Sequence, residues 1–236
     1  WTESVDEVLA WLQDHDLNLH YVLETHAHAD HLSGSQRILK KYPNAKLGVG
    51  ENITKVQETF KEVFDLPDNF PTDGRQFDEL FAEGERVEAG SLEFEILYTP
   101  GHTPADVTYK FEDAIFTGDA MFMPDMGTGR CDFPAGSAED QWESVTQKIY
   151  ELPPETRVFV GHDYQPGGRE LEYETTVGEQ MEKNVMLPAG KTKEDFIEDR
   201  ESRDETLDAP TLLFQSVQVN IDAGELPEPS ERSNLR

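Results

Sequence analysis

The sequence predicts an α/β domain built from layers of sheet and helix. Short apolar runs that are typical of strands recur along the chain, and segments with helical periodicity separate them. Four of the apolar runs stop at a Gly or Thr beside a side chain that can bind a metal. Neither a low-complexity linker nor an internal repeat divides the 236 residues. A single domain over residues 1–236 is therefore expected.

The first strand is predicted over residues 21–25, where the chain is apolar. A helix-like stretch follows over residues 35–41, so this part of the chain is interpreted as strand, loop and helix. The intervening loop holds four side chains that can bind a metal: His26, His28, Asp30 and His31.

Three further strand regions end in the same way. Residues 92–98 alternate apolar and polar side chains, as in a half-buried strand, and a Pro-Gly pair ends the run. Residues 107–111 and 114–117 flank a short turn and predict a hairpin. Residues 157–160 form the last apolar run. The side chains that follow these strands and can bind a metal are His102, Asp119 and His162.

The remaining segments have helical or loop character. Residues 54–64 are predicted to be a helix, and so are residues 138–152, which place apolar side chains at i, i+3 and i+7. Residues 178–206 are highly charged and predict a solvated helix interrupted by a loop near residues 187–190. From about residue 224, Gly and Pro residues predict an exposed C-terminal tail.

The charge of the chain excludes several classes of partner. Lys and Arg number 20 against 49 Asp and Glu, so the net charge is −29 at pH 7. Such a field repels phosphate backbones and anionic lipid, and we expect neither a nucleic acid nor a membrane partner. The single cysteine, Cys131, cannot form an internal disulfide. A cytoplasmic location is therefore expected.

The candidate ligands predict a catalytic metal site. Five of the seven histidines fall in the loops that follow strands, together with Asp30 and Asp119. Imidazole and carboxylate ligands suit Zn, Fe or Mn. The chain has no paired cysteines, which argues against a structural zinc cage or an iron–sulfur cluster. We expect a site with open coordination positions.

These motifs resemble the metallo-β-lactamase superfamily. The resemblance rests on Thr25-His26-Ala27-His28-Ala29-Asp30-His31 and the later Gly101-His102, Gly118-Asp119 and Gly161-His162, and it covers about residues 20–170. It implies an αββα sandwich with the metal site at one edge between the sheets. Members of the superfamily carry several strands before the first motif, whereas 24 residues precede it here. We therefore expect the first strands to be missing from this chain.

Two later segments are similar to those of persulfide dioxygenases. One is Gly129-Arg130-Cys131-Asp132-Phe133, with Cys131 where that group usually has Thr, and the other is His162-Asp163-Tyr164. The resemblance implies a mononuclear non-haem Fe(II), one per chain, which oxidises a low-molecular-weight thiol persulfide with O₂ to sulfite and free thiol. Glutathione persulfide is the expected substrate. The implied iron ligands are His26, His102 and Asp119, and the implied residues of the unused second site are His28, Asp30, His31 and His162.

The alternative is a thioester hydrolase similar to glyoxalase II, with a dinuclear Zn or Fe centre. There the second group of ligands completes the centre, whose bound water is acidified toward a pKa of ~7 and attacks the thioester carbonyl. Zn remains the alternative metal in both cases, because the same ligand types hold Fe and Zn. Homodimers are common in this family, and the sequence leaves the oligomeric state of this chain open.

Three residues near the implied metal site have two interpretations each. Arg130 is expected to bind a substrate carboxylate, and the alternative is an ion pair with Asp132. Tyr164 is expected to donate its hydroxyl into the metal pocket, and the alternative is core packing. For Cys131 we favour inert burial over a sensor of sulfur chemistry.

The spread of acidic residues along the chain predicts a salt-adapted surface. Added KCl screens the repulsion between carboxylates, so the melting temperature is expected to rise between low and molar KCl. Thermal denaturation followed by circular dichroism measures the effect. A melting temperature that stays flat or falls over this range contradicts the prediction.

Overall fold

The computed structural model describes residues 2–227. Its described part divides into two compact units: unit 1 comprises residues 2–80 and 208–227, and unit 2 is Phe81–Leu207. The expectation of a single domain stays a prediction. Within the described part, no helix combines the length and the apolar character that a bilayer crossing requires. Beyond residue 227, the expected C-terminal tail lies outside the described residues.

Unit 1 is built on a three-stranded sheet in the order β1, β2, β3. β1 and β2 run parallel, with Val22 opposite Leu47. The predicted first strand, its loop and the short helix after it are confirmed, with slightly narrower bounds. The elements are α1 (Thr2–Asp14), β1 (Tyr21–Leu23), α2 (Ser35–Leu39), β2 (Lys46–Gly50), α3 (Ile53–Val63), β3 (Glu79–Phe81), whose last residue begins unit 2, and α7 (Leu213–Asn220).

One face of α3 contributes to the core of unit 1. α3 buries Ile53, Val56 and Phe60 at i, i+3 and i+7, which is the spacing of one helix face. Val49 of β2 is fully buried, and so is Ile221 just after α7. The helix predicted over residues 54–64 is confirmed as α3.

A buried glutamine on α3 ties this core together. The Gln57 side chain is fully buried. Its Nε2 donates to the Ile221 carbonyl oxygen at 2.8 Å, and its Oε1 accepts from the Gly74 amide at 3.0 Å. Nε2 also lies 3.1 Å from Gln76 Oε1. One side chain thus satisfies backbone groups from two segments that are distant in sequence.

Unit 2 is built on a six-stranded mixed sheet in the order β4 to β9. β4 to β7 pair antiparallel, β8 is parallel to β7, and β9 is antiparallel to β8. The predicted strands are confirmed, and β5 and β6 have the expected bounds. The strands are β4 (Arg86–Ala89), β5 (Leu92–Tyr98), β6 (Val107–Phe111), β7 (Ala114–Phe116), β8 (Arg157–Phe159) and β9 (Glu174–Thr176).

Helices cover one face of this sheet. The fully buried Ile115 and Val158 belong to one hydrophobic cluster with Val145 and Ile149. The sequence predicts one helix over residues 138–152, and this is wrong in detail. α4 (Ala138–Ser144) gives way to a π-helical turn (Val145–Ile149). There the Tyr150 amide donates to the Val145 carbonyl, five residues back, at 2.8 Å.

The charged segment after β9 forms two helices, α5 (Val177–Lys183) and α6 (Lys193–Asp204), with a loop between them. The predicted loop is confirmed, but the prediction of a solvated helix is wrong for one face of α6. Phe196, Arg200 and Asp204 are buried there at intervals of four residues. Burial of the two charged residues is possible because they pair with each other.

The cross-link formed by Gln57 generates a stability prediction. Gln57→Ala leaves the Gly74 amide and the Ile221 carbonyl without their side-chain partner, so the free energy of unfolding is expected to fall by about 2–4 kcal/mol. Urea denaturation measures the change. Gln13→Ala on the exposed face of α1 is the control and should change it by less than about 0.5 kcal/mol. Equal effects of the two substitutions contradict the prediction.

Candidate metal centre

The first ligand loop lies at the carboxyl end of β1 in unit 1. The pairing of β1 with β2 continues one residue further, because the Glu24 amide donates to the Gly48 carbonyl at 2.9 Å. His26 follows and is buried, and Thr25 Oγ1 hydrogen-bonds His26 Nδ1 at 3.0 Å. The end of a parallel strand thus presents an oriented imidazole to the loop, which is where α/β proteins usually place ligand-binding groups.

The other side chains of this loop form a second cluster. The His28 ring centroid lies 4.1 Å from that of His26 and 4.3 Å from that of His31. His28, Asp30 and His31 each offer one ligand atom, and these atoms lie within 4.8 Å of one another. His28 Nε2 also lies 3.5 Å from Glu24 Oε2. The side chains of Asp30 and His31 are 39% and 40% exposed. This cluster can hold a cation, but it is more open to water than His26.

A buried asparagine at the end of α7 fixes the backbone of the loop. Asn220 Nδ2 donates to the carbonyl oxygens of His28 and His31, both at 2.8 Å. Asn220 Oδ1 accepts from the Ser33 amide at 2.9 Å. All three hydrogen bonds reach a loop that lies almost 200 residues earlier in the chain. Sequence reasoning missed Asn220, because no local pattern links it to the loop.

In unit 2, the Asp119 carboxylate lies between two imidazoles. Asp119 Oδ2 is 3.6 Å from His102 Nε2, and Oδ1 is 3.6 Å from His162 Nε2. These separations are too long for hydrogen bonds. Two ligand bonds of about 2.1 Å at 90–110° put ligand atoms about 3.0–3.4 Å apart, so the distances are close to those of ligands sharing an ion. The sequence-predicted residues of unit 2 are thus brought together.

His102 is held in the form that a metal ligand requires. Its Nδ1 lies 2.7 Å from the Arg130 carbonyl oxygen. A carbonyl only accepts, so Nδ1 carries a proton, and Nε2 on the side of Asp119 is the ring nitrogen that can bind a metal. Hydrogen bonding of the second ring nitrogen to a carbonyl is a common feature of histidines that bind metals.

The burial of Asp119 tests whether this cluster fits a metal. Asp119 is 7% exposed, and its Oδ1 accepts no hydrogen bond from the residues that the structure describes. A buried carboxylate oxygen without a donor is costly unless a cation lies beside it. Space is also restricted, since a Cβ at Gly161 would lie 3.0 Å from Oδ1. The residues present therefore fit a divalent transition metal.

A second buried carboxylate shapes the turn after His102. Asp106 accepts from the Thr103 amide at 2.7 Å and from the Thr103 hydroxyl at 2.6 Å. Burial raises the pKa of Asp106 to about 6, while His102 and the two Thr103 hydrogen bonds act in the opposite direction. Asp106 holds the backbone that carries His102.

The structure gives the contacts of Arg130 and Tyr164, the two residues that the sequence predicts to bind substrate. Arg130 pairs with Asp132 through Nε and Nη2, both at 2.6 Å, and its guanidinium lies 5.0 Å from the centre of the Phe133 ring. The ion pair that was the alternative for Arg130 is thus present. Tyr164 is 56% exposed, so core packing is wrong for it, and its ring centroid lies 5.8 Å from that of His162.

Cys131 lies in the same loop as Arg130 and is buried. Burial is the main cause that raises the pKa of its thiol. The thiol is therefore protonated at neutral pH, whereas nucleophilic chemistry would need a thiolate. These observations agree with inert burial.

Comparison with known proteins identifies relatives along the whole chain. This chain is 50% identical to "Glyoxylase B2" of Dictyostelium discoideum over 99% of its own length and 80% of that protein. It is 33% identical to human "Persulfide dioxygenase ETHE1, mitochondrial", over 63% of this chain and 50% of the relative. The chain spans about half, 52%, of the "Beta-lactamase hydrolase-like protein" of Agrobacterium fabrum, at 49% identity over 97% of this chain.

Comparison with solved structures also finds an ETHE1 protein. The structure of "ETHE1 from Myxococcus xanthus" is similar with a TM-score of 0.76 and 31% identity, over 94% of this chain and 85% of that one. The fold is accordingly that of the metallo-β-lactamases, as expected from the sequence. A family model described as "Metallo-beta-lactamase superfamily" matches residues 2–162, which is well over half of the chain. The chain therefore belongs to the metallo-β-lactamase superfamily.

Proposed function

We propose that this protein is a persulfide dioxygenase with one Fe(II) bound by His26, His102 and Asp119. The observation that carries the proposal is the contrast between two sets of ligand residues. These three residues are all buried, at 2%, 5% and 7% exposure of the whole residue. Asp30 and His31, by contrast, are about two-fifths exposed. Two histidines and one carboxylate form the ligand set of non-haem Fe(II) oxygenases, which leaves three coordination positions open.

The comparisons support this activity. The human relative is named a persulfide dioxygenase, and the segment from Gly129 to Phe133 is similar to the corresponding motif of that group. The proposed reaction consumes a thiol persulfide, O₂ and water, and yields the thiol and sulfite. In it the terminal sulfur is oxidised, O₂ is reduced, and the bond between the two sulfurs breaks. Glutathione persulfide is the proposed substrate, and a cytoplasmic location stays a prediction.

The residues of the chain have separable roles in this proposal. Fe(II), when bound, would relay single electrons from the spin-paired substrate to O₂ and offer both of them open coordination positions. The Arg130 carbonyl orients His102, and the Thr25 hydroxyl orients His26. His28, Asp30, His31 and His162 are not ligands in this proposal, and their role is to hold water beside the metal.

The substrate would approach through the residues that border the metal cluster in unit 2. We propose that Arg130 attracts a substrate carboxylate, with Asp132 holding the guanidinium in a fixed plane until the substrate arrives. Tyr164 exposes its ring beside His162 and can donate its hydroxyl to the substrate. Arg130 would then act on substrate affinity rather than on metal content.

The iron centre generates the first prediction about activity. Protein reconstituted with Fe(II) without oxygen should hold about one iron per chain and consume O₂ when glutathione persulfide is added. Asp119→Ala removes a buried ligand and should lower both the iron content and the rate of O₂ uptake by at least about 100-fold. Metal analysis and an oxygen electrode measure the two quantities.

Asp113→Asn, at the exposed turn between β6 and β7, is the matched control and should keep both values. Failure of the iron-loaded wild-type protein to consume O₂ with any low-molecular-weight persulfide would contradict the proposed function.

A thioester hydrolase is the second candidate, and one observation favours it. The two oxygens of Asp119 each face a different imidazole at the same distance, 3.6 Å. A carboxylate shared by two metals has this arrangement. A pair of divalent ions would supply a more acidic water for attack on a thioester carbonyl, and His28, Asp30, His31 and His162 would hold the second ion.

Substitution of Asp30 separates the two candidates. In the dioxygenase, Asp30→Ala leaves the three buried ligands intact, so the iron content should stay at about one per chain and O₂ uptake should fall by less than about tenfold. In the hydrolase, the same substitution removes a ligand and lowers the zinc content from two per chain. Zinc-loaded wild-type protein that holds two ions and cleaves acyl-glutathione thioesters would favour the hydrolase.

A further inference from the structure

A buried ion pair on α6 lies outside the ligand cluster of unit 2. Arg200 and Asp204 are 2% and 4% exposed. Asp204 Oδ1 lies 2.6 Å from Arg200 Nη2 and 3.1 Å from Arg200 Nε. The two residues are four apart and share one face of the helix with the buried Phe196. Neither charged side chain is among the candidate metal ligands.

This pair holds the backbone of a short loop, residues 127–131. Asp204 Oδ2 accepts from the Cys131 amide at 2.8 Å. Arg200 Nη1 donates to the Thr128 carbonyl oxygen at 3.0 Å. The carboxylate and the guanidinium thus each satisfy one buried backbone group of the loop, in addition to each other.

The same loop contacts His102 and Asp119, the two proposed iron ligands of unit 2. The Gly129 amide donates to the Asp119 carbonyl oxygen at 3.0 Å, and the Arg130 carbonyl accepts from His102 Nδ1 at 2.7 Å. A Cβ at Gly129 would lie 2.2 Å from the Asp119 carbonyl oxygen. The loop therefore approaches the backbone of Asp119 as closely as only a glycine allows.

Two residues of this loop, Thr128 and Cys131, bind the ion pair. The two residues between them, Gly129 and Arg130, bind the ligands. A displacement of the loop would move the acceptor of His102 and the donor to Asp119 together. The backbone of the loop thus connects the ion pair to the two ligands.

We propose that the Arg200–Asp204 pair is a positioning device that sets the orientation of His102 and the position of Asp119 for metal binding. This inference rests on the metal centre of the proposed function. A buried pair often stabilises a fold no better than apolar residues of similar size. Here its two backbone contacts place a loop that metal ligands depend on, and supports of this kind typically alter metal affinity 10–100-fold when removed.

Asp204→Ala is the variant that tests the proposal. It should weaken the affinity of the metal-free protein for Zn(II) by about 10–100-fold, measured by competition with a chromophoric chelator. The visible spectrum of the Co(II) form should also change, because His102 loses its fixed orientation. Neither measurement depends on the reaction that the protein catalyses.

Phe196→Leu is the matched control, because it alters packing on the same buried face of α6 without a hydrogen bond to the loop. It should lower the melting temperature of the metal-free protein while leaving the Zn(II) affinity within about twofold. Asp204→Asn keeps an acceptor for the Cys131 amide and should weaken the affinity by less than tenfold. This second variant tests the proposal if the alanine variant does not fold.

The outcomes separate the proposals. The positioning role is overturned if Phe196→Leu loses as much Zn(II) affinity as Asp204→Ala at equal destabilisation. It is also overturned if both Asp204 variants keep the wild-type affinity. Wild-type protein that binds no Zn(II) overturns the inference together with the metal centre. Wild-type protein that binds metal but consumes no O₂ overturns only the proposed reaction, and the comparison of affinities still decides the role of the pair.

Discussion

The burial of the Asp119 carboxylate is the constraint on which the rest of unit 2 depends. Taking a carboxylate out of water is unfavourable, and its Oδ1 accepts no hydrogen bond within residues 2–227. The surrounding loops place one imidazole beside each carboxylate oxygen, His102 at Oδ2 and His162 at Oδ1. Two glycines also lie against Asp119. A Cβ at Gly129 would collide with the Asp119 carbonyl oxygen, and a Cβ at Gly161 would lie only 3.0 Å from Oδ1. Such a site gains its full stability only when a cation occupies it, so metal binding and local order are coupled.

The supports of the ligands show how this coupling is distributed. In unit 1, a neutral amide, Asn220, holds the ligand loop by three hydrogen bonds. In unit 2, the charged pair of Arg200 and Asp204 performs the corresponding task. The neutral device has a smaller desolvation cost, whereas loss of one partner of the charged pair leaves a buried charge and costs about 3–5 kcal/mol. Substitutions on α6 should thus be less well tolerated than its hydrophilic composition indicates.

Much of the fold was predictable because its signals are local. The alternation in residues 92–98 and the Gly or Pro residues at strand ends define β5 and its neighbours, and the ligand types follow from the loops themselves. Other features depend on partners that are distant in sequence. Burial of Arg200 and Asp204 could not be predicted, since hydropathy places charged residues in water. The contact of Asn220 with the first loop joins residues almost 200 positions apart, and the π-helical turn after Ser144 has no composition signal.

The location of the only cysteine in the chain has a consequence for how the protein can be observed. Cys131 lies in the loop that the ion pair holds, with its backbone amide bonded to Asp204 and its thiol buried. The thiol can react with a reagent only when this loop opens. Its rate of modification therefore reports the local opening equilibrium of the loop, in the same way that amide hydrogen exchange reports local opening. The chain thus carries an internal probe at the junction between α6 and the candidate metal ligands. The same protection keeps the thiol from reacting with electrophiles in the surrounding solution while the loop is closed.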